Sequence, residues 1–372
     1  MNTSTLFQDP SAWSDFAEHL LSIHARRAFL VCGDTTWAKS GAAERVEALT
    51  AHAGLTILHR FAAFDSNPKT ESVDAAYAMA RKCHPDMLLA IGGGSAIDVA
   101  KGVLDRFLAE GGVKPPLLAA VPTTAGTGSE ATRFSVLYKD GKKLSLDRPE
   151  LRPSLVVLDP TLTASLPPYT TVCSGLDAIA QAIEALWAVH STPESDAFAE
   201  EALTLLLPAL PAAVKTGNDF ARACMLRGAY LAGCAIDITR TTAAHAFSYA
   251  FTSAHRIPHG HAVWLSLPSV ALYNAAVTDA NCQDPRGAGF VRDRIAHIAR
   301  RVAGDSSPAA LAAFLRALSA DLGIENDPLR LGVADAAELR RLFSEANPER
   351  MANNPRALDM DAWMASVPVR CP

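Results

Sequence analysis

Asp177, Gln181, His245 and His259 are side chains of the types that bind a cation or move a proton, and they stand in an otherwise apolar stretch between Gly175 and Gly260. Asp177 and Gln181 are four apart in GLDAIAQAIE, a segment with a helical period. Residues i and i+4 share a helix face, so the carboxylate and the amide point the same way. His245 and His259 fall within AAHAFSYAFTSAHRIPHGH, where Pro258 should end or interrupt a helix just before the second imidazole. A carboxylate and two imidazoles from separate segments form a donor set able to hold a divalent metal. Each residue alone is equally an ordinary surface or hydrogen-bonded core residue. What gives the set weight is a nucleotide-binding pattern upstream.

That pattern consists of two glycine-rich loops. In IGGGSAIDVAKG an apolar run leads into Gly92-Gly93-Gly94-Ser95 and then a helix. Glycines let a backbone approach a pyrophosphate, and a helix start offers free N–H groups and the positive end of its dipole. The run is neither GxGxxG nor a P-loop, and a tight structural turn would use the same residues. The second loop, VPTTAGTGSEAT, sets Thr123, Thr124, Thr127 and Ser129 around two glycines. Hydroxyls in that density suit phosphate, ribose or nicotinamide-amide contacts, and also the capping of a helix start. Asp34, just past the first apolar run, can accept from a ribose diol or serve a plain turn; a carboxylate there would repel a 2′-phosphate and favour NAD over NADP.

Elements able to present these loops are legible. Strands are expected at Ala28–Cys32 (followed by a turn at Gly33-Asp34), Leu55–Phe61, Met87–Ile91, Leu117–Val121 and Leu155–Leu158, with helices over Ser40–Ala53 and Ser72–Cys83. Strands separated by helices imply parallel pairing. FSVLYKDGKKLSL alternates around Asp140-Gly141, a hairpin signal. Residues 1–165 thus read as an α/β dinucleotide-binding domain. From about Leu166 the strand signals stop. Residues 166–372 read as an all-helical, metal-binding domain, with helices expected at Gly175–His190, Pro193–Leu207, Phe220–Ile238, Thr242–Phe251, Ala262–Ala276, Phe290–Val302 and Pro308–Leu322. Pro208, Pro211, Gly217, Pro258 and Pro285 should punctuate them, and one last short helix should follow a polar ANPERMANNPRALD loop.

A chain of 372 residues with 49% hydrophobic and 20% charged residues has the composition of a soluble two-domain protein. A net charge of −5 without a basic run argues against nucleic acid or an anionic membrane as partner. The N-terminus lacks the basic-then-apolar pattern of a secretion signal. Seven scattered cysteines, among them Cys371, show no CxxC spacing and point to a reducing compartment, the cytoplasm.

GGGSAIDVAK, VPTTAGTGSE, GLDAIAQAIE and HRIPHGHAV, in this order and spacing, resemble the iron-containing (group III) alcohol dehydrogenases, over essentially the whole chain and including the late Asn354-Pro355-Arg356. The resemblance implies an enzyme that transfers a hydride between NAD(H) and a small aldehyde or alcohol, with its active site in a cleft between the two domains, and a homodimer. It places metal ligands at Asp177, His245 and His259. Cofactor contacts fall on Asp34, Asn67, Gly93, Gly94, Ser95, Asp98, Thr123, Thr124, Lys143 and Leu166. The family's histidine four residues after the aspartate is Gln181 here, and another, four after the first ligand histidine, is Tyr249. An amide oxygen in place of a nitrogen makes a harder site, compatible with Fe(II), Zn(II) or Mn(II). Tyr249 and His255 are the expected proton donors.

Within the family, TRFSVLYKDGKKLSL, the Asp177/Gln181 pair and YAFTSAHRIPHGHAV look most like the phosphonoacetaldehyde reductases, which make 2-hydroxyethylphosphonate. An anionic substrate of that kind would meet Arg133 and Arg256, since guanidinium pairs with phosphonate oxygens. The same architecture also fits an alcohol or polyol dehydrogenase. Loss of two imidazoles further admits a non-catalytic nucleotide-binding relative.

Overall fold

The computed structural model describes residues 4–9, 11–112, 114–140 and 142–367. Cys371 and Gly141 of the expected hairpin lie outside them. The chain divides into two compact units, one formed by Met1–Pro167 with Gly217–Gly233, the other by Pro168–Thr216 with Cys234–Pro372.

The first unit holds strands β1 (Thr5–Phe7), β2 (Arg27–Val31), β3 (Thr56–Phe61), β4 (Met87–Gly92) and β5 (Leu117–Pro122), the hairpin β6 (Phe134–Lys139) and β7 (Lys142–Asp147), and β8 (Leu155–Val157). Helices α1 (Ala12–Ser22), α2 (Asp34–Lys39), α3 (Ala42–Ala53), α4 (Thr70–Cys83) and α5 (Gly94–Glu110) alternate with them. Six strands form one sheet in the order β1-β8-β5-β4-β2-β3, every pair parallel. The twofold period of a strand sorts its side chains between two cores. Met87, Leu89 and Ile91 of β4 meet Phe16, Leu20 and Leu49 on one face; Leu88 and Ala90 meet Val103 and Phe107 on the other. Each such large side chain contributes about 1.5–3 kcal/mol by leaving water.

Two expectations change here. Gly33-Asp34 is not a simple turn: Gly33 caps α2, and Asp34 is its first residue. β1 and α1 were not anticipated. Three residues are too few to show a period, and β1 exists only through its pairing with β8. α1, by contrast, carries a helical period in its buried Ala12, Phe16, Ala17 and Leu20.

The second unit is built from α6 (Pro168–Trp187), α7 (Pro193–Lys215), the end of α8 (Asp219–Thr239), α9 (Ala243–His255), α10 (His259–Ala275), α11 (Ala288–Ala303), α12 (Pro308–Asp321), α13 (Ala336–Ser344), α14 (Pro348–Ala352) and α15 (Met360–Ser366). α6 packs against α7, α10 and α11, and is buried from Gly175 to Trp187. Pro208 and Pro211 do not break α7. Pro208 is exposed and Pro211 half-buried, so the helix loses backbone bonds on its wetter side, where solvent is able to satisfy the freed carbonyls. By length and composition α7 could span a membrane; here it lies along α6. The last short helix, α15, follows the ANPERMANNPRALD stretch as expected, but Pro348–Ala352 within that stretch forms α14 rather than loop.

Candidate active site

An acid inside a buried helix must find donors, because an unpaired charge there costs several kcal/mol. α6 exposes only 4% of Asp177 and 3% of Gln181, and none of Glu184. Asp177 Oδ1 faces His245 Nε2 at 3.2 Å and His259 Nε2 at 3.9 Å. One donor atom from each of these three residues lies within 4.8 Å of the others. Gln181, one turn along α6, gives its amide hydrogen bond to the Asp177 carboxylate.

α9 and α10 supply the imidazoles. Pro258 caps α10 so that His259 is its first residue, after α9 has ended in a left-handed Arg256 (φ 56°). This is the break expected from the proline. α10 then lies unusually close to α6, since a Cβ on Gly260 would stand 2.0 Å from the Cys173 carbonyl oxygen and 2.9 Å from Asp177 Cβ. Only glycine permits that approach, and it is what brings His259 to Asp177.

Both rings are oriented from behind. His245 Nδ1 bonds Glu184 Oε2. Ser248 Oγ donates to the His245 carbonyl at 2.8 Å and therefore accepts from His259 Nδ1 at 3.3 Å. With both Nδ1 atoms engaged by these partners, both Nε2 atoms turn toward Asp177.

The charge balance points the same way. Burial works against a charged ring at His245, yet Glu184 and Asp177 outweigh it and carry its pKa up to about 10. Burial likewise pushes Asp177 upward, but His259, His245 and Gln181 hold it below the ordinary carboxylate value. Two buried carboxylates thus demand positive charge between them, from a proton or from a divalent cation. Ligands about 2.1 Å from a tetrahedral ion stand ~3.4 Å apart, close to the distances found, so the residues fit such an ion.

Of the expected proton donors, Tyr249 stacks on the His259 ring, with centroids 5.7 Å apart and planes 10° apart. His255 pairs instead with Glu338 of α13 at 3.3 Å. Arg256 is exposed at the α9–α10 turn. Arg133, in the first unit, is paired with Asp147 across the hairpin at 3.2 Å.

Of the expected cofactor residues, Asp34, Gly93, Gly94, Ser95, Thr123 and Thr124 follow the carboxyl ends of β2, β4 and β5, which are neighbours in the sheet, whereas Asn67 follows β3, Lys143 lies in β7 of the hairpin and Leu166 lies beyond β8. Thr123 N–H donates to the Gly92 carbonyl, and Cβ atoms on Gly93 and Gly94 would come within 3.2 Å of Thr124 and 3.0 Å of Thr127. The two loops therefore touch, at the start of α5 where N–H groups lack intrahelical acceptors. Ser95 Oγ donates to Ser66, beside Asn67. Asn67 lines a cavity of about 300 Å³ with Lys69, Glu71, Tyr138 and Asp140. Asp98 accepts from Ser129 Oγ; burial lifts its pKa to about 6 against the pull of Lys101 and Lys143. Leu166 follows the last turn of this unit, its N–H bonded to Thr163. Asp34 is exposed and ion-paired with Arg60 at 2.8 Å, so the charge expected to exclude a 2′-phosphate has a guanidinium beside it.

Glu184, Ser248 and Lys101 escaped the sequence reading. Glu184 had a signal: it stands seven after Asp177 and three after Gln181, on the same face of α6. Lys101, fully buried, holds the second glycine-rich loop through the Thr132 and Phe134 carbonyls at 2.7 and 2.6 Å.

Known proteins similar in sequence and fold cover most of the chain. Residues 3–160 match the family described as iron-containing alcohol dehydrogenase, and residues 171–365 match the C-terminal region of the Fe-containing alcohol dehydrogenase family. The phosphonoacetaldehyde reductase of Streptomyces viridochromogenes is 36% identical over 80% of this chain and 79% of its own. The sulfoacetaldehyde reductase of Bifidobacterium kashiwanohense, solved with NAD+, superposes with a TM-score of 0.82 at 30% identity, covering 97% of this chain and 95% of that one. A 1,3-propanediol oxidoreductase structure gives 0.85 at 28% identity, covering 98% and 97%. On its sequence and its fold alike, the chain belongs to the iron-containing alcohol dehydrogenase family and is an oxidoreductase of the alcohol dehydrogenase and aldehyde reductase kind.

Proposed function

We propose that this enzyme reduces a small anionic aldehyde to its alcohol with NADH and a divalent metal, and that phosphonoacetaldehyde, giving 2-hydroxyethylphosphonate, is the substrate. The observation that carries the reading is the buried donor set of Asp177, His245 and His259, with Gln181 at its side. A divalent cation, Fe(II) in this proposal with Zn(II) and Mn(II) as substitutes, supplies Lewis-acid polarisation of a carbonyl, and NADH supplies the hydride. The α/β half, residues 1–165, is assigned the dinucleotide, seated on Gly93, Gly94 and Ser95. The helical half, residues 166–372, is assigned the ion.

The chain's own residues then orient the aldehyde and return a proton to its oxygen. Tyr249 is the favoured donor, because its ring lies flat on His259, whereas His255 is held by Glu338. The similarity to reductases of two different two-carbon aldehydes ending in a strong acid supports an anionic substrate. Free thiols at Cys32, Cys83 and Cys173 suit the proposed cytoplasmic setting, and a homodimer is the proposed assembly.

A second reading, reduction of an uncharged aldehyde or oxidation of a polyol, is favoured by Arg133, which already has Asp147 as its partner. One set of assays separates the two. NADH and NADPH oxidation is followed with phosphonoacetaldehyde, sulfoacetaldehyde and propionaldehyde, with glycerol in reverse, before and after chelation and readdition of Fe(II). The proposal expects kcat/KM at least tenfold higher for phosphonoacetaldehyde with NADH, lost on chelation and restored by Fe(II). Preference for propionaldehyde or glycerol would defeat the phosphonate assignment. Full activity after chelation would defeat the metal.

A further inference from the structure

α6 carries two acids, and the chemistry above uses only Asp177. Glu184 is wholly enclosed, and its two oxygens do different work. Oε1 accepts from Thr242 Oγ1 at 2.7 Å, from Ala244 N at 2.9 Å, from Thr242 N at 3.3 Å and from His245 N at 3.4 Å. Those are the first N–H groups of α9, whose own N-cap residue, Thr242, makes no side-chain cap. Thr242 Oγ1 is also bonded by the Trp187 indole N–H at 2.8 Å, so its hydroxyl proton goes to Glu184. Oε2 bonds His245 Nδ1. Every neighbour is a donor, and both ends of the side chain must accept.

We infer that Glu184 is a positioning residue for the metal centre. By accepting from Nδ1 it leaves Nε2 as the nitrogen that faces Asp177 and would bind a cation, and it anchors the start of α9 so that the ring is in place before an ion arrives. This rests on the metal reading given above and adds to it the group that sets metal affinity. An amide cannot do the same work. With its oxygen toward α9, Gln would offer N–H to Nδ1 and drive the ring proton onto Nε2, the atom a cation needs. Reversed, its N–H would meet the N–H groups of α9. Aspartate keeps two accepting oxygens on a shorter stem and should recover part of the function.

The test uses full-length wild type, Glu184→Gln and Glu184→Asp, each stripped of metal and titrated with Co(II) by visible absorption and calorimetry. Thermal unfolding of the metal-free proteins runs alongside. Glu184→Gln should bind Co(II) about 10- to 100-fold more weakly, with an altered ligand-field spectrum, and Glu184→Asp should fall between it and wild type. Wild-type Co(II) affinity in Glu184→Gln would overturn the inference, whatever its melting temperature. If that variant does not fold, Glu184→Asp decides: unchanged affinity overturns the inference, and weaker binding at unchanged stability upholds it. A wild type that takes up no Co(II) refutes the metal reading itself, a failure distinct from equal affinity in all three proteins.

Discussion

Single residues in this chain are readable by type, but not by partner. Asp177, His245 and His259 stood out because acids and imidazoles are rare in apolar helices, and the structure brings all three together. Ser248 did not stand out, since the hydrogen bond it accepts from a ring eleven residues on, beyond the break at Pro258, has no spacing rule. Glu130 makes the same point in the first unit. Nothing in GTGSEAT distinguishes it from a surface acid, yet only 1% of it is exposed, and its Oε1 has no hydrogen-bond partner among the described residues. Burial raises its pKa to about 7 against the pull of Lys101. Its folded value lies above the unfolded one, so the folded state binds the extra proton and stability falls as pH rises from about 4.5 to 7. Glu130→Gln keeps the shape and removes that titration. Urea unfolding of the variant should lose the decline between pH 5 and 8 that wild type shows at this site; identical pH dependence in both would mean that Glu130 is ionised in the fold.

Most elements whose period lasts for two turns or more were legible, α1 being the exception. The parallel strands and α3, α4, α11 and α12 fall close to their expected limits, and α9 and α10 meet at Pro258 as read. At the prolines of α7 the miss has a cause: rules for proline describe an isolated helix, whereas packing decides which exceptions hold. α7 keeps its prolines on a solvated side. Gly260, on which no expectation was placed, is the contact point of α10 on α6. Gly260→Ala puts a methyl into the Cys173 carbonyl and should cost about 1–3 kcal/mol or more, because neither backbone can move without its helix. In a chain of this size that lowers the melting point by several degrees. His259 should shift with α10, so Co(II) affinity should fall as well. Loss of stability at full affinity would show that the histidine is placed by something other than this contact.

For the whole molecule, the expectation of two domains with one join differs from the path the chain takes. It passes between the two compact units at 167/168, at 216/217 and again at 233/234, the last time in the middle of α8. The early turns of α8 belong with the α/β unit, and they do so through a backbone contact. Gly128, held at φ 61° in the second glycine-rich loop, and Gly233 lie so close that a Cβ on either would come within 2.7 Å of the other's backbone. A fragment of residues 1–167 should therefore unfold without a cooperative transition in urea, while a version with 217–233 attached by a linker should recover one. A sharp transition in the shorter fragment would contradict this. A hybrid joined at residue 167 would ask one parent's Thr-Gly-Ser turn to nest on the other parent's helix. Laboratory recombination among these reductases will succeed only where residues 217–233 travel with the nucleotide half, so the smallest exchangeable cassette is discontinuous in the gene.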